Sequence, residues 1–319
     1  MTISKKENLL RTIRRENPQW VPNGMESVIT LPSPLAERPA AAGPDVFGVM
    51  WDFDPKAEGG TYPAHNGHTI TDISLWREQL RLPDLDAVDW DALKKRADEI
   101  DRSEHLVMGF VEMGLFERSY LLLGMEEALI CYLTETEEMK ALLHVLADYK
   151  IELIERYVCA CKPDLIWYGD DWGTQDNLFM PADIWRETIG AETKRIYDCM
   201  KRLGVMINQH SCGKIELIFG DMVEMGAQMF NPCQPCNDLA RLKREYGDKI
   251  CFIGGIDSQH VLNYPGATPE TVDAEVRKRI EEMAHGGGYI AAPSHSVPYD
   301  PVLLRAMNEA IANYGIIKQ

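Results

Sequence analysis

An imidazole and a thiol stand two positions apart at His210-Ser211-Cys212. On an extended chain alternate side chains point the same way, so both could reach one tetrahedral metal ion. The plainer reading is a strand-end histidine bonded to backbone with a buried cysteine nearby. A third candidate ligand, His295, sits between Ser294 and Ser296, which are small enough to let a ligand or metal approach. A His/Cys/His set with one open position is the arrangement expected of a catalytic zinc, not a structural one. The adjacent carboxylates Asp170 and Asp171 could act as general acid or base, or orient a metal-bound histidine. Equally, one could cap a following segment while the other is solvated. Glu112 is a further candidate for orienting ligands or relaying a proton.

Two other motifs carry less. Cys233 and Cys236 form a C-x-x-C, but a structural zinc needs a second pair, and a thioredoxin-like redox motif would open a helix after the first strand unit. A plain structural role and a place in a pocket wall are the readings left. His285-Gly286-Gly287-Gly288 looks like an esterase oxyanion loop, yet the nearest nucleophile elbow, Gln209 to Gly213, has Gln at its first glycine position. Those glycines fit a tight entry into the last strand.

These residues act together only if the fold gathers them. From about residue 104, short apolar runs alternate with longer amphipathic stretches, the pattern of parallel strands joined by helices. Strands are expected at 106–111, 164–168, 204–209, 227–230, 250–253 and 289–292. Helical spacing of apolar residues runs from Met139 to Val158 and from Ile184 to Met200, and Pro181, Pro269 and Pro301 stand at helix starts. Reactive groups in a parallel barrel collect at the C-terminal strand ends. There the strands run into Glu112, into Asp170-Asp171, into His210 to Gly213, into Asn231 to Cys236, into Gly254 to Asp257 and into Pro293 to His295. Earlier, 5–15 reads as a helix, 21–27 as a first strand and 46–53 as a second apolar segment. The stretch 30–82 reads as an insertion, because Trp51, Phe53, Tyr62 and Trp76 would be costly to leave in water. Eight strand–helix units fit 319 residues, so the expected fold is α/β, a single (β/α)8 TIM barrel with N-terminal insertions, one domain over 1–319. A doubly wound open sheet is the rival, and its Gly-x-Gly-x-x-Gly near the N-terminus is absent.

Composition narrows the partners. The chain has 33 Lys+Arg against 50 Asp+Glu, a net charge of −17, which argues against nucleic acid or an anionic membrane. Residues 1–20 lack a continuous apolar run, and no stretch approaches the ~20 apolar residues of a membrane span. Eight cysteines without an export signal point to the reducing cytoplasm, where cysteines serve as thiols, metal ligands or small hydrophobes.

At these residues the sequence resembles the uroporphyrinogen decarboxylase superfamily, which includes zinc-dependent corrinoid methyltransferases. The likeness rests on 7–21, the 114–129 region, Gly169-Asp170-Asp171-Trp172-Gly173-Thr174-Gln175, His210-Ser211-Cys212-Gly213, Asn231-Pro232 with Gln234-Pro235, Gly254-Gly255-Ile256-Asp257 and Gly286-Gly287-Gly288-Tyr289. It implies a (β/α)8 barrel. Within these motifs it implies substrate contact by Trp172, Gln234 and Asp257. True decarboxylases carry an arginine-rich segment after the first strand that holds the substrate's carboxylates. The corresponding Asn23-Gly24-Met25-Glu26-Ser27 has no arginine and adds a negative charge, which speaks against an octacarboxylate substrate. The methyltransferase branch binds zinc through His-x-Cys and a distant Cys in a turn after the last strand. His210 and Cys212 match the pair, while Ala292-Pro293-Ser294-His295 offers His in place of Cys. Imidazole in place of thiolate makes the metal a stronger Lewis acid, which suits polarising an ether oxygen.

The resemblance thus implies a methyltransferase moving a methyl group between a small substrate, O-methyl ethers among the candidates, and a corrinoid (cobalamin) held by a partner protein. Zinc on His210, Cys212 and His295 would assist, with Asp170, Asp171 and Glu112 as catalytic groups. The rivals are a metal-free decarboxylase-like lyase acting on a small carboxylate, and a non-catalytic corrinoid- or pterin-binding barrel. The expected partners are a small-molecule substrate, a corrinoid protein and a second copy in a homodimer.

Overall fold

In the computed structural model, residues 3–56, 60–295 and 297–317 are described. The strands in chain order are β1 (Val28–Leu31), β2 (Gly43–Pro44), β3 (Met50–Phe53), β4 (Thr61–Pro63), β5 (Leu106–Val111), β6 (Leu165–Gly169), β7 (Met206–His210), β8 (Met229–Cys233), β9 (Cys251–Ile256) and β10 (Tyr289–Pro293). They make a seven-stranded sheet ordered β1-β5-β6-β7-β8-β9-β10 and a three-stranded sheet ordered β2-β3-β4. Every pairing in the first is parallel, and helices fill the crossovers, as parallel neighbours require.

Alternation along these strands sorts side chains between two environments. Leu106, Met108, Leu165, Met229, Cys251, Ile253 and Ile290 form an inner cluster, closed by Leu9 and Ile13 of the helix Lys5–Arg14. Val111, Ile166, Tyr168, Ile207, Phe230 and Phe252 face the larger core shared with the outer helices. The period of two that defines a strand thus gives the sheet an inside and an outside.

The sheet curls until one segment meets both of its edges. Residues 28–31 pair with β5, while just upstream Gly24 N–H donates to Ala291 O at 2.7 Å and Ala291 N–H donates to Pro22 O at 3.0 Å. An eighth regular strand is not formed among the described residues. The expected strand at 21–27 is corrected to a single bridge at Asn23 followed by β1, because Pro22 lacks an N–H and Gly24 turns at φ 61°. The architecture is therefore α/β with a curled parallel sheet of seven strands in place of the eight expected. The apolar segment 46–53 buries Phe47, Val49 and Trp51 and contains the strand Met50–Phe53, which belongs to the separate antiparallel sheet.

Buried charges fasten that insertion. Asp45 accepts from Phe47 N, Val49 N and Trp51 Nε1, and Arg118 Nη1 donates to it at 2.7 Å. Glu37 bridges Arg118 and Lys150 at 3.1 and 2.6 Å, with all four side chains almost wholly buried. Removing one partner of such a set typically costs about 3–5 kcal/mol, because the others remain buried and uncompensated. Among the described residues, no helix is long and apolar enough to cross a membrane.

Candidate metal centre

The chemistry of the site starts from an amide. Asn231, on β8, donates through Nδ2 to Asn208 Oδ1 at 2.7 Å and to Gln209 O at 3.3 Å. Its Oδ1 therefore faces Trp167 Nε1 at 3.1 Å and His210 Nδ1 at 2.8 Å. An indole nitrogen only donates, so the atom between them is an oxygen, and His210 must carry its proton on Nδ1. The ring is held between this bond and the face of Trp167, 4.5 Å away, which itself stacks on Phe110. The lone pair of Nε2 is thereby left for a ligand, the arrangement by which outer partners fix a metal-binding histidine.

Register supplies the companions of that lone pair. Gly169 on β6 lies opposite His210 on β7, so the residues two further on, Asp171 and Cys212, also come together. Cys212 N–H donates to Asp171 Oδ1 at 2.7 Å, and His210 Nε2 lies 3.4 Å from that oxygen and 3.7 Å from Cys212 Sγ. One ligand atom from each residue lies within 4.8 Å of the other two. Burial and the Asp171 charge push the Cys212 thiol up from its ordinary range. An N, O and S donor with one position left over fits a four-coordinate catalytic zinc, and bound cations deprotonate such thiols.

Glycine makes this meeting possible. A Cβ on Gly213 would lie 2.2 Å from the carbonyl carbon of Gly173, and its φ is 83°. The two loops run in backbone contact, with Lys214 N–H donating to Thr174 O at 2.8 Å.

The two adjacent aspartates have different tasks. Asp170 is fully buried and accepts from Phe116 N at 3.1 Å, Glu117 N at 2.9 Å and Trp172 Nε1 at 2.8 Å. It caps the helix Leu115–Leu123, and burial raises its carboxyl to about 6. Asp170, expected as a catalytic group, is thus held at the helix start, and Asp171 alone of the pair joins the trio. Trp172, expected at the substrate, is 2% exposed, packs edge-on against Trp185 and spends its N–H on Asp170. It anchors the cap inside the core.

His295, expected as third ligand, stands outside the trio, and Asp171 takes that place. Gln234 Nε2 lies 2.8 Å from His295 Nε2. Gln234, Asp257 and His295 do share a cavity of about 100 Å³ with Gln175, Cys236 and His260. Asp257 caps the turn that follows it, accepting from Gln259 N and His260 N at 2.9 Å each. Of the C-x-x-C pair, Cys233 is buried and Cys236 reaches the cavity wall. Ser296 lies outside the described residues.

Two acidic groups complete the surroundings. Burial raises the Glu112 carboxyl, with Glu37 adding to the effect. Glu117 is raised well above the ordinary carboxylate range by burial and then by Asp171, Asp170 and Glu112. Burial raises Tyr120, one turn along, as well, with Glu117, Asp171 and Asp170 adding to the effect. Glu117 was missed in the sequence because it lies in the first turn of a helix and not at a strand end; its only signal was its place five residues beyond Glu112.

Comparison with known proteins adds three findings. A family model described as uroporphyrinogen decarboxylase (URO-D) matches residues 43–314. No curated protein matches the chain. Among solved structures, a methyltransferase from Methanosarcina mazei superposes with a TM-score of 0.73 at 15% identity, covering 98% of this chain and 99% of that one. At that identity the likeness is one of fold. A sugar phosphate isomerase/epimerase from Parabacteroides distasonis reaches a TM-score of only 0.33 at 9% identity, covering 70% of this chain and 89% of that one, and carries no argument.

Proposed function

This chain belongs to the uroporphyrinogen decarboxylase family, and on that premise we propose that it is a methyltransferase that removes a methyl group from a small O-methylated substrate and delivers it to a corrinoid protein. The observation that carries the reading is the convergence of Asp171, His210 and Cys212 at strand ends, with the tautomer of His210 already set for coordination. These three residues would hold zinc, which when bound supplies Lewis acidity toward the substrate oxygen. The methyltransferase from Methanosarcina mazei, similar in fold over nearly its whole length, supports the same direction.

The chain's own residues account for the rest. Asn231 and Trp167 hold His210 in one orientation, so the ligand set needs little reorganisation. Loss of a methyl group leaves an oxygen anion that needs a proton. Glu117, its carboxyl raised by burial and then by Asp171, is the group suited to supply it. The segment 23–27 offers no arginine for a polycarboxylate. Its Glu26 is spent on Lys5 at 3.0 Å and on Trp20 Nε1 at 3.2 Å. That favours transfer over decarboxylation of an acidic macrocycle.

The test is elemental analysis of protein purified without added metal, together with its Cys212→Ala and His210→Ala variants. We expect close to one zinc per chain in the wild type and at least a tenfold loss in each variant. Zinc-loaded wild type should then methylate reduced cobalamin from a methyl aryl ether, followed by absorbance. A folded wild type that neither carries nor takes up zinc would rule the mechanism out.

A further inference from the structure

The peptide groups that follow Cys212 are gripped by two amides from the next strand end. Gly213 N–H donates to Gln234 Oε1 at 2.5 Å, and Asn237 Nδ2 donates to Gly213 O at 2.9 Å. The second contact has only one possible polarity. Ile215 N–H donates to Asn237 Oδ1 at 3.0 Å, so the other end of the Asn237 side chain is its NH2. One side chain thus binds the main chain on both sides of Lys214. Gly213, with no side chain and a φ of 83°, takes its place from such contacts and from the Gly173 backbone pressed against it.

Asn237 can act as a clamp because it is fixed itself. It is 4% exposed and stands just before the helix Leu239–Tyr246, whose first turn Asp238 caps by accepting from Arg241 N at 3.0 Å. Asn237 Nδ2 also lies 3.2 Å from Gln234 O and 3.5 Å from Cys236 Sγ, which closes the turn 234–237 on itself. Asp238 N–H donates to Glu216 Oε1 at 2.8 Å and joins this helix start to that of the helix Glu216–Met225. Upstream, Cys212 N–H ends on Asp171 Oδ1. The stretch from Cys212 to Ile215 is therefore bonded at one end to a candidate ligand and at the other to Asn237. Its path sets the direction of the Cys212 side chain, and a ligand site works only when its side chains are held to within about 0.5 Å.

We propose that Asn237 is a positioning residue, holding the main chain at Gly213 and Ile215 so that the Cys212 thiolate meets the same metal ion as His210 and Asp171. The proposal rests on reading that trio as a metal centre. Asn237 touches neither metal nor substrate in this role; it acts through the backbone. Loss of such outer hydrogen bonds typically weakens metal binding by about 10–100-fold.

Cobalt(II) in place of zinc tests it, because thiolate bound to cobalt gives an intense charge-transfer absorption that imidazole and carboxylate do not. Asn237→Asp keeps the size of the side chain and the acceptor for Ile215 N–H, but sets a carboxylate oxygen against Gly213 O. Asn237→Ala removes both contacts, should the charged variant fold poorly. Each should lose at least half of the band per bound cobalt, or bind cobalt at least tenfold more weakly. Glu216→Gln is the control: it loosens the same two helix starts, by weakening the bond to Arg241, and leaves the contacts of the Asn237 side chain in place. It should keep the band.

Intact band and affinity in a folded Asn237 variant overturn the positioning role. An equal loss in Glu216→Gln overturns it too, since the effect would then be one of general stability. The two readings fail in different ways. A wild type that binds no cobalt ends the metal centre and this proposal with it, whereas a wild type that shows the band beside unaffected variants ends this proposal alone.

Discussion

Asp170 and Asp171 are neighbours in the chain and opposites in environment. The first closes the start of a helix from inside the core, and the second faces His210 and Cys212. Replacing Asp170 by Asn should leave a backbone donor of the helix unpaired and lower stability by about 1–3 kcal/mol in urea unfolding, with zinc content retained. Asp171→Asn should do the reverse, losing zinc with little change in the unfolding midpoint. Equal stability of the two variants would contradict the division of roles. Spacing along the chain disclosed His210 and Cys212, since both lie on one strand end. It did not disclose Asn231, whose effect on His210 depends on amides and an indole from three strands. Nor could it show that Gln234 would bond to His295 Nε2.

Elements were most legible where one periodicity ruled. The strands from β5 onward were expected within three residues of their observed limits, because each is a short apolar run between amphipathic helices. Thr268 and Asp300 do cap the helices that Pro269 and Pro301 open. The first strand was misplaced because Val21 and Met25 gave an apolar signal to a stretch that Pro22 and Gly24 prevent from pairing regularly. Contact between loops was invisible, since it is made by backbone. Gly213→Ala tests it: a methyl group where only 2.2 Å is available must push the loops apart. We expect loss of at least 2 kcal/mol by chemical unfolding and a parallel loss of zinc, since strain of this kind costs about 1–3 kcal/mol before any contact is lost. Unchanged zinc content would mean that the loops tolerate separation.

At the scale of the whole molecule, the curled sheet is unevenly fastened. Its seven strands are joined by ladders of several residue pairs, with one register shift between β8 and β9, whereas its edges meet through the two hydrogen bonds between 22–24 and Ala291. Local opening should start at that seam. Hydrogen exchange measured by mass spectrometry should therefore find peptides covering 22–27 exchanging at least tenfold faster than those of β6 and β7. Comparable protection would mean that the seam is as strong as the ladders. The insertion is another matter, since Arg118, Asp45, Glu37 and Lys150 fasten it from within.

The distribution of sulfur has a practical side. Of the eight cysteines, Cys159 is the exposed one, near the end of the helix Thr136–Cys161, while Cys131, Cys161, Cys199, Cys233 and Cys251 are buried. Alkylating reagents attack accessible thiolates, and burial holds Cys233 and Cys212 in the thiol form when no cation is near. Cys159 thus offers a handle to which a fluorophore or a surface tether can be joined without engineering, on the outer helical layer and away from the strand ends where Asp171, His210 and Cys212 meet.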